Sequence, residues 1–139
     1  MTKETILIRS ILGPTRRDIF PMACAVEIVK KLLFCRKIPL DDIRMTKDIY
    51  PAVARQTKKS CQAVARQIER TGNLCWESMD EGQKMQYIGK AIKDIQGPRD
   101  MIFYLAFYSY FHKPYYEILE NPPWSFYVNK VYCMSELKI

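Results

Sequence analysis

Between its glycine and proline breaks, this chain repeats apolar residues at three- and four-residue steps, which commits it to helices. The breaks fall at Gly13-Pro14, Pro39, Pro51, Gly97-Pro98, Pro114 and Pro122-Pro123. Ile6, Ile8, Ile11 and Leu12 predict a short first helix ending at Gly13. Met22, Val26, Val29, Leu32 and Leu33 predict an amphipathic helix of about four turns, with Glu27, Lys30 and Lys31 on its wet side. Further helices are expected near 51–57 and 60–76. Another is expected over Lys84–Ile95, with Met85, Ile88, Ile92 and Ile95 on one face. A last helix, capped by Asp100, should run to about His112. Period-two alternation is absent except in Ser125–Cys133, which reads as an extended tail. The fold class is therefore all-α, in a chain of 139 residues that has room for one core.

The most informative stretch runs from Tyr50 to Trp76. Pro51 suits the first turn of a helix, where its missing N–H costs nothing. Ala52, Val53 and Ala54 are small enough to admit a neighbouring helix, and Thr57-Lys58-Lys59-Ser60 is a short polar link. Ser60 can cap the next helix by accepting a hydrogen bond from a backbone N–H in its first turn. In that helix Cys61, Val64, Ile68 and Cys75 share one stripe and should be buried. Gln62, Arg66, Glu69, Arg70 and Asn73 share the other side, with Ala63 and Gln67 beside them. Two helices joined by a short turn, the second with an Arg- and Gln-bearing face, form the pattern of a helix-turn-helix. Ala54 and Val64 occupy its small and β-branched positions. Lys58 stands at the turn position that favours a left-handed backbone, where Gly or Asn is commoner. The chemistry suits DNA: Arg bonds a guanine edge bidentately and Gln an adenine edge. Lys58, Lys59 and the Ser60 end of the helix are placed for phosphates.

An excess of basic charge is compatible with nucleic acid, with an anionic membrane surface or with solubility alone, and its location narrows the choice. Residues 1–76 carry 15 basic and 7 acidic side chains, whereas residues 77–139 carry 7 and 8, so the whole excess of +7 lies in the first half. Lys30-Lys31 and Arg36-Lys37 read as the solvated side and end of a helix. The five cysteines are odd in number and lack CxxC spacing, so reduced thiols, no metal site and a cytoplasmic setting are expected. No signal peptide or membrane span is expected, because the most apolar run, Met101–Phe111, is about half the length needed. No Gly-rich phosphate loop, paired catalytic carboxylates or motif-paired nucleophile is present, and His112 is the only histidine. An enzyme is not expected, nor is a cofactor. Met101–Tyr116 is apolar or aromatic nearly all round, which predicts a core helix covered by the tail through Trp124 and Phe126; the competing reading is a dimer face.

Thr46-Lys47, Ile49-Tyr50-Pro51, Val53-Ala54, Val64, Arg66, Ile68 and Trp76 together resemble the C-terminal effector domain of the sporulation-initiation response regulator of spore-forming Firmicutes. The resemblance extends more loosely over residues 8–112, through Ile11-Leu12-Gly13-Pro14 and the helix from Phe20. It implies a compact bundle of about six helices over 1–114, with 115–139 as an extension packed on it. It also implies transcriptional regulation through double-stranded DNA, the second helix of the motif entering the major groove, and pairing with a second copy or another regulator. In the family an Arg at the place of Arg66 contacts a base, and the loop holding Arg16-Arg17 lies near DNA, where these two would hold phosphates. Ala65 stands where the family has Glu, and Glu69 and Arg70 where it has Arg and His, which implies a different DNA box. About 45 residues precede the motif, so no receiver domain, and no control by aspartyl phosphorylation, is expected in this chain. The expected reader residues are Arg66, Gln62 and Gln67 with Ala63 beside them. Lys58, Lys59, Ser60 and Arg70 are expected to hold phosphates. Ala65 and Glu69 also support a second reading, a degenerate effector domain that pairs with another regulator as a protein-interaction module.

Overall fold

The computed structural model describes residues 2–95 and 97–121. The expected extended tail at Ser125–Cys133, and the cover supplied by Trp124 and Phe126, lie outside these residues. The described residues form seven α-helices and no strand: α1 (Lys3–Leu12), α2 (Phe20–Lys30), α3 (Tyr50–Thr57), α4 (Cys61–Ser78), α5 (Glu81–Tyr87), α6 (Pro98–Phe111) and α7 (Tyr115–Glu120). The chain is all-α, as the periodicity requires.

Local chemistry accounts for most of the ends. Thr2 caps α1, its Oγ1 accepting from the Thr5 N–H at 3.1 Å, and the Gly13 N–H closes the helix on the Arg9 carbonyl at 2.8 Å. α2 continues into a wider π-helical turn, Lys31–Cys35, where the Arg36 N–H reaches five residues back to the Lys31 carbonyl. Asp41 and Asp42 lie in a single 3₁₀ turn, Leu40–Asp42, and a second π turn at Met45–Ile49 leads into α3. Asp80 and Gln83 form a reciprocal capping box that starts α5.

α2 and α6 pack together at the centre, and α1 and α4 lie against both. α3 wedges between α2 and α4, while α5 and α7 pack on α6. Every residue from Met101 to Phe107 is buried, so this part of α6 is a core helix, while Tyr110 near its end is exposed. Each fully buried Leu, Ile, Met or Phe here contributes roughly 1.5–3 kcal/mol of apolar transfer energy. α4 crosses close to the start of α6 at Gly72, where an added Cβ would lie 3.3 Å from the Pro98 Cβ.

Three expectations need correction. The helix expected over Lys84–Ile95 is α5, and it stops at Tyr87. The Ile88 and Gly89 N–H groups both close on the Lys84 carbonyl, and Gly89 takes a positive φ of +95°. Ile92 and Ile95 still pack on the core, but from irregular chain, and Met85 is exposed. α6 begins at Pro98, and Asp100 lies inside its first turn and does not cap it. Six α-helices, α1–α6, lie within residues 1–114, in line with the expected number, and α7 follows Pro114 and buries Ile118. Cys61 is exposed: the buried stripe of α4 starts at Val64, and Cys61 leaves the body with the wholly exposed turn 58–60.

Candidate nucleic-acid interface

α4 has 18 residues, a length of about 27 Å at 1.5 Å per residue. Its inner face is Val64, Ile68, Thr71, Gly72 and Cys75, which lock it onto α2, α3 and α6. Its outer face presents Gln62, Arg66, Glu69, Arg70, Asn73 and Glu77, all exposed, at the spacing of successive turns. Ala63 and Gln67 are half-buried along the edge. The division of faces expected from the periodicity is the one observed, apart from Cys61.

The turn joining α3 to α4 is built from its own residues. Lys58 ends α3 in a left-handed conformation, φ +57° and ψ +41°, the position where a lysine is unusual. Its side chain is exposed. Ser60 Oγ accepts from the Ala63 N–H at 3.1 Å and caps α4, as the sequence predicts. The two lysines then differ. Lys58 projects into solvent, whereas Lys59 Nζ is 3.1 Å from Asp18 Oδ2 and donates at 3.1 Å to Gln67 Oε1.

Asp18 is the residue that sequence reasoning missed. Its Oδ1 accepts from the Phe20 N–H at 3.1 Å and steadies the start of α2, while Oδ2 takes Lys59. Burial alone would raise the Asp18 carboxyl; the hydrogen bonds from Lys59 and the Phe20 backbone, with the lysine's charge, outweigh it and hold the group below its ordinary value. An Asp two residues before a helix start is a recognisable Asx cap. Its second partner, 41 residues away, has no local signal. The contact ties the loop that carries the exposed Arg16 and Arg17 to the N-terminal end of α4. Thus Lys59, Ser60, Ala63, Gln67 and the Arg16-Arg17 loop come together around one helix end. Gln62, Arg66 and Arg70 continue along the outer face.

Glu69 lies on the same outer face, and its charge reaches Tyr50 at the start of α3. Burial first, and then this carboxylate, raise the Tyr50 hydroxyl. The acidic group therefore belongs to the part of α4 beside α3, away from Ser60. Gln67 is constrained in a way the sequence does not reveal. Its carbonyl oxygen already accepts from Lys59, which takes one of that oxygen's two lone pairs and holds the amide toward the turn.

One constellation elsewhere has the composition of a reactive site. Ser109 Oγ lies 3.0 Å from both Lys30 Nζ and Glu4 Oε2, and Lys30 Nζ is 2.9 Å from the same carboxylate oxygen. The lysine donates to both partners, so it offers the serine no proton acceptor. Ser109 and Glu4 are buried, at 5% and 4% exposure. The triad is a polar tie between α1, α2 and α6. Burial would raise Glu4, and the Lys30 and Ser109 hydrogen bonds turn the net shift downward. Among the described residues no group of three His, Cys, Asp or Glu side chains is placed to hold a metal ion. No helix among them is long and apolar enough to cross a membrane. Comparison of the chain with protein-family models, with characterised proteins and with solved structures returns no match.

Proposed function

We propose that this chain is a sequence-specific regulator that binds double-stranded DNA, with the outer face of α4 in the major groove. The observation that carries the reading is the exposed row Gln62–Arg66–Arg70, which starts from a capped helix end flanked by Lys58, Lys59 and the Arg16-Arg17 loop. A helix lying in the major groove needs such a row to reach base edges, and cations at its N-terminal end to reach phosphates. Arg66 is the proposed guanine reader and Gln62 the proposed adenine reader. Lys58, Ser60, Arg16, Arg17 and Arg70 position the backbone. The likeness of Thr46–Trp76 to the sporulation effector domain supports the same assignment, with a different box because Ala65, Glu69 and Arg70 replace the family's residues.

The test is binding to duplex DNA, selected from genomic fragments, across a salt series. With about six phosphates neutralised, log K falls against log[salt] with a slope of roughly −5. A flat response refutes DNA binding by this surface.

A second reading, a protein-interaction module that pairs with another regulator, draws on one observation. Lys59 is committed to Asp18 and Gln67, and Glu69 adds negative charge to the face that would meet phosphate. Recovery of a protein partner, together with no retardation of any genomic fragment, selects that reading over the first.

A further inference from the structure

Four large apolar side chains stand about half exposed among the described residues: Ile6, Phe20, Met85 and Tyr110. Ile6, Met85 and Tyr110 belong to α1, α5 and α6, whereas Phe20 is the first residue of α2 and is tied to the N-terminal end of α4. The tie is a single carboxylate. Asp18 Oδ1 accepts from the Phe20 N–H at 3.1 Å, and Lys59 Nζ donates to Oδ2 at 3.1 Å. Lys59 also donates to Gln67 Oε1, on the flank of α4 that carries Ala63. The backbone of Phe20 is therefore fixed beside that flank. Ile19, Pro21 and Met22 are buried and anchor the start of α2, while 49% of Phe20 is left in water. A side chain so placed gains from any apolar surface brought against it.

Charge limits what can dock there. The loop before Phe20 carries the exposed Arg16 and Arg17, and the turn across from it carries Lys58 and Lys59. An apolar ring set among cations is met by a polyanion that also exposes apolar groups. In the major groove of DNA that group is the C5-methyl of thymine, presented by each A·T pair. Gln62, in the first turn of α4, is the proposed adenine reader, and the partner of any adenine is a thymine whose methyl lies in the same groove.

We infer that Phe20 is a specificity residue of the DNA surface, its ring packing on a thymine methyl at the wall of the major groove beside the Ala63–Gln67 flank of α4. The inference rests on the DNA-binding reading. It extends that reading from hydrogen-bonding residues on α4 to an apolar one on α2.

The experiment uses the full chain and a duplex selected from genomic fragments, prepared once with thymine and once with deoxyuridine, which lacks only the methyl. The parent should bind the thymine duplex about fourfold more tightly, the worth of one buried methyl group. Phe20→Ala should lower binding to the thymine duplex to the level of the deoxyuridine duplex. Phe20→Leu, which stays apolar, should keep most of the preference. In neither variant should the slope of log K against log[salt] change, because no phosphate contact is lost. Circular dichroism checks folding, and Phe20→Ser serves in place of Phe20→Ala if the latter does not fold. Salt-dependent binding by the parent that ignores the methyl overturns the inference and leaves the DNA reading standing. A methyl preference that survives in Phe20→Ala puts the methyl against another residue and also overturns it. A parent that shows no salt-dependent binding refutes the DNA reading, and the inference falls with it.

Discussion

Lys58 offers a perturbation whose effects on stability and on binding have opposite signs. Its backbone sits at φ +57°, ψ +41°, with its N–H bonded to the Ala54 carbonyl at the end of α3. For a residue with a Cβ this conformation costs roughly 1–2 kcal/mol. Glycine removes that cost, but loses about 0.5–1 kcal/mol through its greater freedom in the unfolded chain. Lys58→Gly should therefore stabilise the fold by about 0.5–1 kcal/mol, or roughly 2–5 °C in Tm for a domain of this size. Lys58→Ala keeps the Cβ and the strain, and should stay within about 0.5 kcal/mol of the parent. Urea and thermal unfolding, followed by circular dichroism, separate the two variants. In DNA binding they should behave alike. Each removes one phosphate contact, so the magnitude of the slope of log K against log[salt] falls by about 0.9. If Lys58→Gly unfolds more easily than Lys58→Ala, the left-handed strain is not the governing quantity. If both keep the full salt slope, Lys58 does not meet phosphate.

Arg66→Ala should weaken specific binding by roughly 1–3 kcal/mol and relax discrimination at one base pair, measured by competition among single-base variants of the bound fragment; equal loss on every sequence would make Arg66 a phosphate contact. Asp18→Asn frees Lys59 of its carboxylate and removes a repulsive charge from the helix end, so it should tighten DNA binding in low salt while costing less than about 1 kcal/mol of stability; weaker binding would show that the loop must be tied down before DNA can be held. Glu4 titrates below its ordinary value in the folded chain, so its contribution is complete above that value, near 4.5, and is lost as pH falls through the lower folded one. Glu4→Gln should cost about 1.5–3 kcal/mol at neutral pH and shallow the acid limb of the stability profile, and an unchanged limb would mean that another carboxylate governs it. Gly89→Ala meets both a φ of +95° and the Pro114 Cβ 3.0 Å from the new methyl group, and should destabilise by about 1–3 kcal/mol in denaturant unfolding.

The features legible in the sequence are those whose causes are local. The two faces of α4 follow from a 3.6-residue period that needs no knowledge of the rest of the chain, and Ser60 caps three residues ahead of its partner Ala63. The burial of α6 follows from an apolar run with no polar stripe to turn outward. The failures have equally definite causes. Ile88, Ile92 and Ile95 keep a helical spacing because all three pack on the core, yet the chain leaves the helix at Ile88, tied there by the Tyr116 N–H on its carbonyl, and Gly89 makes the turn. Spacing alone cannot separate a buried helix face from an irregular segment laid along a core. Cys61 fits the apolar stripe arithmetically, but it is exposed, and the buried face of α4 begins at Val64. Glu4 and Ser109 stand 105 residues apart, so their pairing is a property of the packed bundle and of no segment of it.

The Asp18–Lys59 contact shows how the candidate surface can be both organised and available. The pair is partly wet, with the lysine side chain 35% exposed and the carboxylate 49%. Ion pairs in that setting contribute about 0–1 kcal/mol, and added salt weakens them further. A phosphate offered to Lys59 also releases condensed counterions, and the gain recurs at each cation that docks with it. DNA can thus displace Asp18 at little net cost if Lys58, Arg16 and Arg17 engage in the same step. Asp18 keeps its other bond, to the Phe20 N–H, so the start of α2 is not released when Lys59 leaves. Until then the pair holds Lys59 extended across the turn and keeps the Gln67 carbonyl oxygen occupied. On this reading the exchange of Asp18 for phosphate also loosens Lys59 from the Gln67 oxygen, whose two lone pairs let the amide meet a base whether or not the lysine stays.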